Sequence, residues 1–432
     1  MGNIVGIDRE QCIKQVNQYI DAHREDMMQF WKELVSIESG NESQKEGVDE
    51  ICSKIAEELR GCGAETQTIQ MEKKGNFLLA DWGKGREKKP VLFIGHMDTV
   101  FKEGAAKQNP FRVDEDGNAH GPGVLDMKAG LTIAVFIVKA LNDAGYNERP
   151  VKIAFAGDEE NGHRESGAAA VMLEACEGVA AAFNFETGYL DDGLVVGRKG
   201  SFRMTVEVQG VASHSGNAPE KGRNAILEMS HKIIELQNLN DYEHGTSLNV
   251  GLITGGTVVN AVPDHCEIKI DIRFTQKERL DQLLEKIDEI LAKTYVDGTK
   301  TIVHKTVPSA VMEDSEPVMA LFHHIEKTAE LTGYGKVKPI KVGGWSDSSL
   351  VASKGIPVVC GLGARGKGNH SPEEFAVVES VFERAKLIAA SVILLDKEGL
   401  SQILCKHRNA VQIEQNLFKA EVAQAAAALF SK

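Results

Sequence analysis

The residues best suited to chemistry fall where apolar runs end. Gly95-His96-Met97-Asp98-Thr99 directly follows Val91-Leu92-Phe93-Ile94, and ligands of open α/β sheets gather at the carboxyl ends of strands. A histidine with an aspartate two residues on supplies a metal ligand and a carboxylate able to orient it, although one such pair can equally be structural. Gly121-Pro122-Gly123-Val124-Leu125-Asp126-Met127-Lys128 sets a carboxylate just ahead of an apolar helix, where an aspartate also serves as an N-cap. Ala156-Gly157-Asp158-Glu159-Glu160-Asn161-Gly162 ends a run as hydrophobic as Ile153-Ala154-Phe155-Ala156. Adjacent glutamates are usually solvated, but like charges gathered at a sheet end call for a cation to offset their repulsion. Glu186, in Phe183-Asn184-Phe185-Glu186-Thr187-Gly188, and His370, in Gly368-Asn369-His370-Ser371-Pro372, follow apolar or Gly-rich segments in the same way. Each is ambiguous alone. Together these imidazoles and carboxylates form a donor set suited to zinc, cobalt or manganese.

Such residues need a sheet to carry them. The short β-rich runs at 91–94 and 151–156 flank a long apolar helix at about 129–144, which is a βαβ pattern. Ahead of it, Ile13, Val16, Ile20, Met27, Phe30, Trp31 and Leu34 recur at helical spacing and predict an amphipathic helix or helix pair covering a sheet face. The pattern changes near Gly200. Phe202-Arg203-Met204-Thr205-Val206-Glu207-Val208 alternates strictly, a helix follows at 224–236, strands at 247–253 and 266–274, a helix at 277–292 and a strand at 301–305. That order, β-α-β-β-α-β, predicts a ferredoxin-like insert. The parent domain resumes with a helix at 318–332 and the strand Ile356-Pro357-Val358-Val359-Cys360, and the stretch after 397 contains a helix-prone run at 423–429.

Composition narrows the function classes. A chain of 432 residues exceeds one ordinary core. A net charge of -14 without a basic block argues against nucleic acid and anionic membranes as partners. No apolar stretch is long enough to span a bilayer, and the N-terminus has neither a leader pattern nor a lipidation signal. Seven scattered cysteines without C-x-x-C indicate a reducing, cytoplasmic setting.

In order, GHMDT, GPGVLDMK, GDEENG, FETG, SHSG and NHSPEEF resemble the motifs of the M20 family of metallopeptidases, which includes glutamate carboxypeptidases, aminoacylases and the acetylornithine and succinyl-diaminopimelate deacylases. The likeness runs from about Asp21 to Leu395. It implies an α/β zinc-peptidase-type catalytic domain, a mixed sheet flanked by helices over 1–199 and 309–396, with an inserted ferredoxin-like βαββαβ dimerisation or lid domain over 200–308. Residues 397–432 form a C-terminal extension without an assigned role. The resemblance further implies two zinc ions per subunit, with cobalt or manganese as substitutes, bridged by Asp126. One would also be held by His96 and Glu186, the other by Glu160 and His370, and Asp98 would orient His96. The resemblance also implies a cis Asp126–Met127 bond. Glu159 is then the general base on a dizinc-bound water, and the reaction is hydrolysis of a peptide or amide bond next to a C-terminal or N-acylated amino acid.

Within the insert the resemblance implies a homodimer in which His214 of Ala212-Ser213-His214-Ser215-Gly216 reaches the partner's site to stabilise an oxyanion, aided by Asn260. Arg273 would lie near the substrate carboxylate, and Gly343 and Gly344 of Gly343-Gly344-Trp345-Ser346-Asp347 would belong to a substrate loop. Val307 precedes Pro308 where glutamate-releasing members carry a basic residue, which weighs against glutamate specificity. The remaining histidines, His163 among them, match no motif and read as surface residues or as supports behind the site. An N-acyl-amino-acid deacylase would use the same metal site; a non-catalytic binding protein and a single-domain aminopeptidase fit less well.

Overall fold

Apolar runs short enough for strands and rich in Val, Ile and Phe stack side by side in the computed structural model, which describes residues 8–41, 43–164 and 166–395. The C-terminal extension from 397 lies outside the described residues. The described residues divide into two compact units, one within 8–196, 314–341 and 346–395, the other made of Gly197–Glu313 and Val342–Trp345.

The first unit is built on a six-stranded mixed sheet in the order Glu65–Ile69, Gly75–Trp82, Val151–Gly157, Val91–His96, Ala181–Asn184, Val358–Val359. The first two pairings are antiparallel and the remaining three parallel. The parallel strands at the centre are buried along nearly their whole length, as strands covered on both faces must be. Register decides what they present. His96 pairs with Ala156 and Ile94 with Asn184, so the segments that follow three neighbouring strands emerge at one end of the sheet. The helix Ala129–Asp143 is buried except at Lys139, Asn142 and Asp143. It approaches closely enough that a Cβ on Gly130 would meet the Phe185 carbonyl oxygen at 1.9 Å, so only glycine fits there.

The opening amphipathic segment is a helix pair, Arg9–Ala22 and Arg24–Ser36, joined at His23. It packs chiefly on the helices Ala129–Asp143 and Val378–Leu394 instead of covering a sheet face. Amphipathic spacing specifies a buried face and leaves its partner open. The Trp31 indole donates to the Val124 carbonyl at 3.0 Å and so ties this layer to the segment leading into Asp126. The strand expected over 356–360 is only Val358–Val359. Pro357 has no N–H to give a ladder, and Cys360 exchanges both its backbone bonds with Val195. A second, five-stranded sheet includes Gly188–Tyr189, Arg365–Lys367 and Phe375–Val377 and carries the loop with His370.

The second unit is a four-stranded antiparallel sheet in the order Ser247–Gly255, His265–Phe274, Gly200–Gln209, Lys300–Lys305, with the helices Ala225–Gln237 and Lys277–Ala292. This is the ferredoxin-like βαββαβ arrangement. Phe202, Met204, Val206 and Val208 lie opposite Ile272, Ile270, Ile268 and Cys266 in a buried layer. A one-residue slip would turn Arg203 and Asp271 into the core, which fixes the register. A two-stranded ribbon, Ser213–His214 with Ala261–Val262, is added to the expected elements.

Candidate metal centre

His96 is the last residue of its strand and is buried. Its Nδ1 lies 3.0 Å from the Asp98 backbone carbonyl and 3.4 Å from the Asp98 carboxylate. Both are acceptors, so Nδ1 carries a proton and Nε2 is the nitrogen turned toward the site. Nε2 is 3.2 Å from Asp126 Oδ1 and 3.6 Å from Glu186 Oε1. The Asp98 carboxylate has a second task that sequence did not indicate. Its two oxygens accept from the backbone N–H groups of Glu159 and Glu160, each at 3.1 Å, and pin the turn that follows the strand Val151–Gly157.

Asp126 lies in an irregular segment, Val124–Lys128, with non-helical backbone at Asp126 and Met127 and a cis bond between them. The N-cap of the following helix is Lys128, so Asp126 does not cap it. Its Oδ1 faces His96, while its Oδ2 lies 3.3 Å from His370 Nε2 and accepts from Asn369 Nδ2 at 2.9 Å. His370 Nε2 is also 3.2 Å from Glu160 Oε2. His370 holds a left-handed backbone with φ 64°, uncommon for a residue with a side chain.

Two three-residue groups result, His96–Asp126–Glu186 and Asp126–Glu160–His370, each with donor atoms within 4.8 Å of one another. The donors fit a divalent ion in chemistry and spacing. Ligands about 2.0–2.1 Å from a tetrahedral ion stand roughly 3.4 Å apart, and the N···O separations here run from 3.2 to 3.6 Å. The electrostatics agree. Burial opposes a charge on His96, yet Asp126 and Asp98 hold it well above the ordinary histidine range. Hydrogen bonds to Asp126 and Glu160 lift His370 to about 10. Burial would raise Asp126, but the two imidazoles keep it below the usual carboxylate range. The carboxylates thus draw positive charge, as protons when no ion is present.

Glu159 belongs to neither group. It is buried next to them, and burial first, then Glu186, Asp347 and Glu160, push its carboxyl well above the usual range against the opposing pull of His96. His163, which sequence read as a surface or supporting residue, is buried. Its Nδ1 meets Asp158 at 2.8 Å and its Nε2 meets Asp347 at 2.5 Å. Glu374 is the other residue that sequence reasoning passed over. It stood inside the quoted NHSPEEF motif, which was the available signal.

His214, Asn260, Arg273, Gly343 and Gly344 all belong to the second unit. His214 is exposed on the short ribbon, paired with Ala261, and the Asn260 carbonyl accepts from Ser215 N–H. His214 Nδ1 accepts from the backbone N–H groups of Gly216 and Asn217, both at 3.1 Å. Nε2 is therefore the protonated nitrogen, a hydrogen-bond donor available at the surface. Arg273 is held by Asp271 at 2.8 Å, and the Gly344 carbonyl accepts from Arg198 at 2.9 Å.

A helix-flanked mixed sheet whose strand ends gather two carboxylate–imidazole groups around a shared aspartate, in a chain with a ferredoxin-like insert, defines a metal-dependent hydrolase of peptide or amide bonds. The chain belongs to peptidase family M20/M25/M40, whose profile matches residues 92–393. It is 28% identical over 369 residues to carboxypeptidase G2 of Pseudomonas sp. (strain RS-16), covering 84% of this chain and 87% of that one. It is also 28% identical over 381 residues to acetylornithine deacetylase of Photorhabdus laumondii, covering 82% and 91%. In fold it is similar to the crystal structure of aminopeptidase PepT from Bacillus cereus, with a TM-score of 0.73 at 21% identity over 86% of this chain and 98% of that one. No helix among the described residues is long and apolar enough to cross a membrane.

Proposed function

We propose that the chain is a dizinc carboxypeptidase-like amidohydrolase that removes an amino acid from a small peptide or an N-acyl amino acid. The observation that carries this reading is Asp126, whose two carboxylate oxygens face different imidazoles in two separate donor groups. His96 and Glu186 would hold one zinc, Glu160 and His370 the other, and Asp126 both, with cobalt or manganese as substitutes. When bound, such ions polarise an amide carbonyl and acidify water.

Glu159 accepts the proton of the attacking water and returns it to the leaving amine nitrogen. Its burial among other carboxylates supports the role, because a raised proton affinity suits a base that must then act as an acid. Asp98 keeps His96 and the Glu159–Glu160 turn in one frame. His214 acts in trans in a homodimer, donating from Nε2 to the carbonyl oxygen as charge develops there. The tautomer fixed by Gly216 and Asn217 supports a donor and not a base. The homodimer reading is supported by an edge strand and helix in the second unit that expose Leu252, Ile253, Ile226, Leu227 and Ile234. Asn260, Arg273, Gly343 and Gly344 would contact substrate, with the Arg273 guanidinium donating to the substrate's carboxylate. The scattered, buried cysteines of the described residues fit a cytoplasmic setting.

A deacylase is the second reading, favoured by the likeness to acetylornithine deacetylase. One experiment separates the readings, because cleavage of dipeptides supports the carboxypeptidase and cleavage of N-acyl amino acids alone supports the deacylase. Zinc-loaded protein is offered dipeptides and N-acyl amino acids, and products are followed by mass spectrometry for wild type, Glu159→Gln, His214→Ala and an equimolar mixture of the two variants. Loss of turnover by about 10²- to 10⁴-fold in Glu159→Gln is expected, with partial recovery in the mixture. No cleavage by wild type would remove the hydrolytic reading; two inactive variants that do not complement would remove the trans role.

A further inference from the structure

We infer that Glu374 is a positioning residue that holds the Asp126 segment in register with the His370 loop, so that the second donor group can bind its ion. The inference rests on the proposed sharing of Asp126 between two ions. The Glu374 side chain is completely buried. Its Oε1 accepts from the backbone N–H of Leu125 at 2.7 Å and of Asp126 at 2.8 Å, and its Oε2 accepts from Gly123 N–H at 3.0 Å. These donors belong to Gly123 and to the irregular segment Val124–Lys128, which contains the non-helical Asp126 and Met127, where no regular ladder would satisfy them.

A buried carboxylate is costly, and more so beside Asp126, a further negative charge. Three bonds from backbone N–H groups offset part of that cost. Their geometric result is specific. Glu374 sits four residues after His370, and its own N–H donates to the Ser371 carbonyl at 3.1 Å. One side chain therefore ties the loop carrying one proposed ligand to the backbone of another. Asn369, next to His370, adds a bond from its amide to Asp126 Oδ2 at 2.9 Å. His96 and Glu186 reach the site from other strand ends, whereas these three bonds join the Asp126 segment to the loop that carries His370. Weakening the clamp should therefore affect the two ions unequally.

Glu374→Gln keeps an oxygen for Leu125 and Asp126 and turns an amide N–H₂ toward the Gly123 N–H, so two of the three bonds survive. Glu374→Ala removes all three and leaves buried donors unpaired. Wild type and both variants are stripped by chelator and titrated with Co²⁺, following absorption and heat. Thermal melting of the stripped proteins and kcat and KM on a cleaved substrate are measured alongside.

Wild type is expected to take two ions. Glu374→Gln should bind one with wild-type affinity and the other about 10- to 100-fold more weakly, with kcat reduced, KM little changed, and kcat recovering at high Co²⁺. Two ions bound with wild-type affinity by Glu374→Gln would overturn the inference, whatever the melting temperature, because Glu374 would then serve packing alone. The Gln variant carries the test if the Ala variant does not fold. Fewer than two ions in wild type would instead overturn the shared role of Asp126, and this inference with it.

Discussion

The two donor groups of the candidate metal centre share Asp126 and differ in how their other members are held. His96 and Glu186 are buried at the ends of adjacent parallel strands, whose ladder sets their spacing before any side chain packs. His370 stands on a loop in a left-handed backbone with 54% of its side chain exposed, and Glu160 sits on a single turn pinned by Asp98. One half is therefore organised by the sheet and the other by hydrogen bonds between loops. Ion–ligand attraction is stronger where water is excluded, so the sheet-built half should hold its ion more tightly and release it more slowly. The loop-built half is the one that solvent and substrate can reach.

The largest effect should come from the residue the halves share. Asp126→Asn leaves one carbonyl oxygen and replaces the other with an amide N–H₂, so at most one half keeps its ligand. One ion per chain is expected, with hydrolysis reduced beyond the roughly 10- to 100-fold that loss of a group behind a ligand causes. Two tightly bound ions and near-normal turnover would show that the halves do not depend on one another through Asp126.

A smaller effect should separate the halves directly. Under a chelator the wild-type protein should release its ions in two phases whose rates differ by about tenfold or more, equivalent to about 1.4 kcal/mol. His370→Ala should abolish the fast phase and His96→Ala the slow one. A single phase, or the opposite assignment, would break the link between burial and retention.

The same contrast explains what could be read in advance. His96, Glu159, Glu160 and Glu186 follow apolar strands, and Asp126 and His370 lie beside Gly/Pro turns, so short-range patterns mark them. The alternation from Phe202 to Val208 likewise reports a strand with one buried face. Contacts that close over long stretches leave no such pattern. Glu374 reaches Gly123 across 251 residues, and His163 reaches Asp347 across 184. Nothing in Gly162-His163-Arg164 distinguishes a buried bridge from a surface turn. The packing of the opening helices on other helices escaped for a related reason, since periodicity reports that a face is covered and not by what.

His163 offers the most easily isolated test, because it supports the loop-built half from behind. Both ring nitrogens face carboxylates, Asp158 at 2.8 Å and Asp347 at 2.5 Å. A neutral imidazole has one N–H and could satisfy only one of them, so this geometry calls for the charged ring. Burial opposes that charge, but Asp347 and Asp158 outweigh it and lift His163 to about 11. A histidine raised from an unfolded value near 6.5 contributes stability that is fully present below that pH and is lost as pH rises through about 11. His163→Ala should therefore destabilise the protein by about 3–5 kcal/mol near pH 6, the range for breaking a buried pair. The gap between wild type and variant in urea denaturation should narrow steadily toward pH 9. A gap that stays constant or widens would mean that the ring is neutral, and the Glu159–Glu160 turn would then depend on Asp98 without help from a charge behind it.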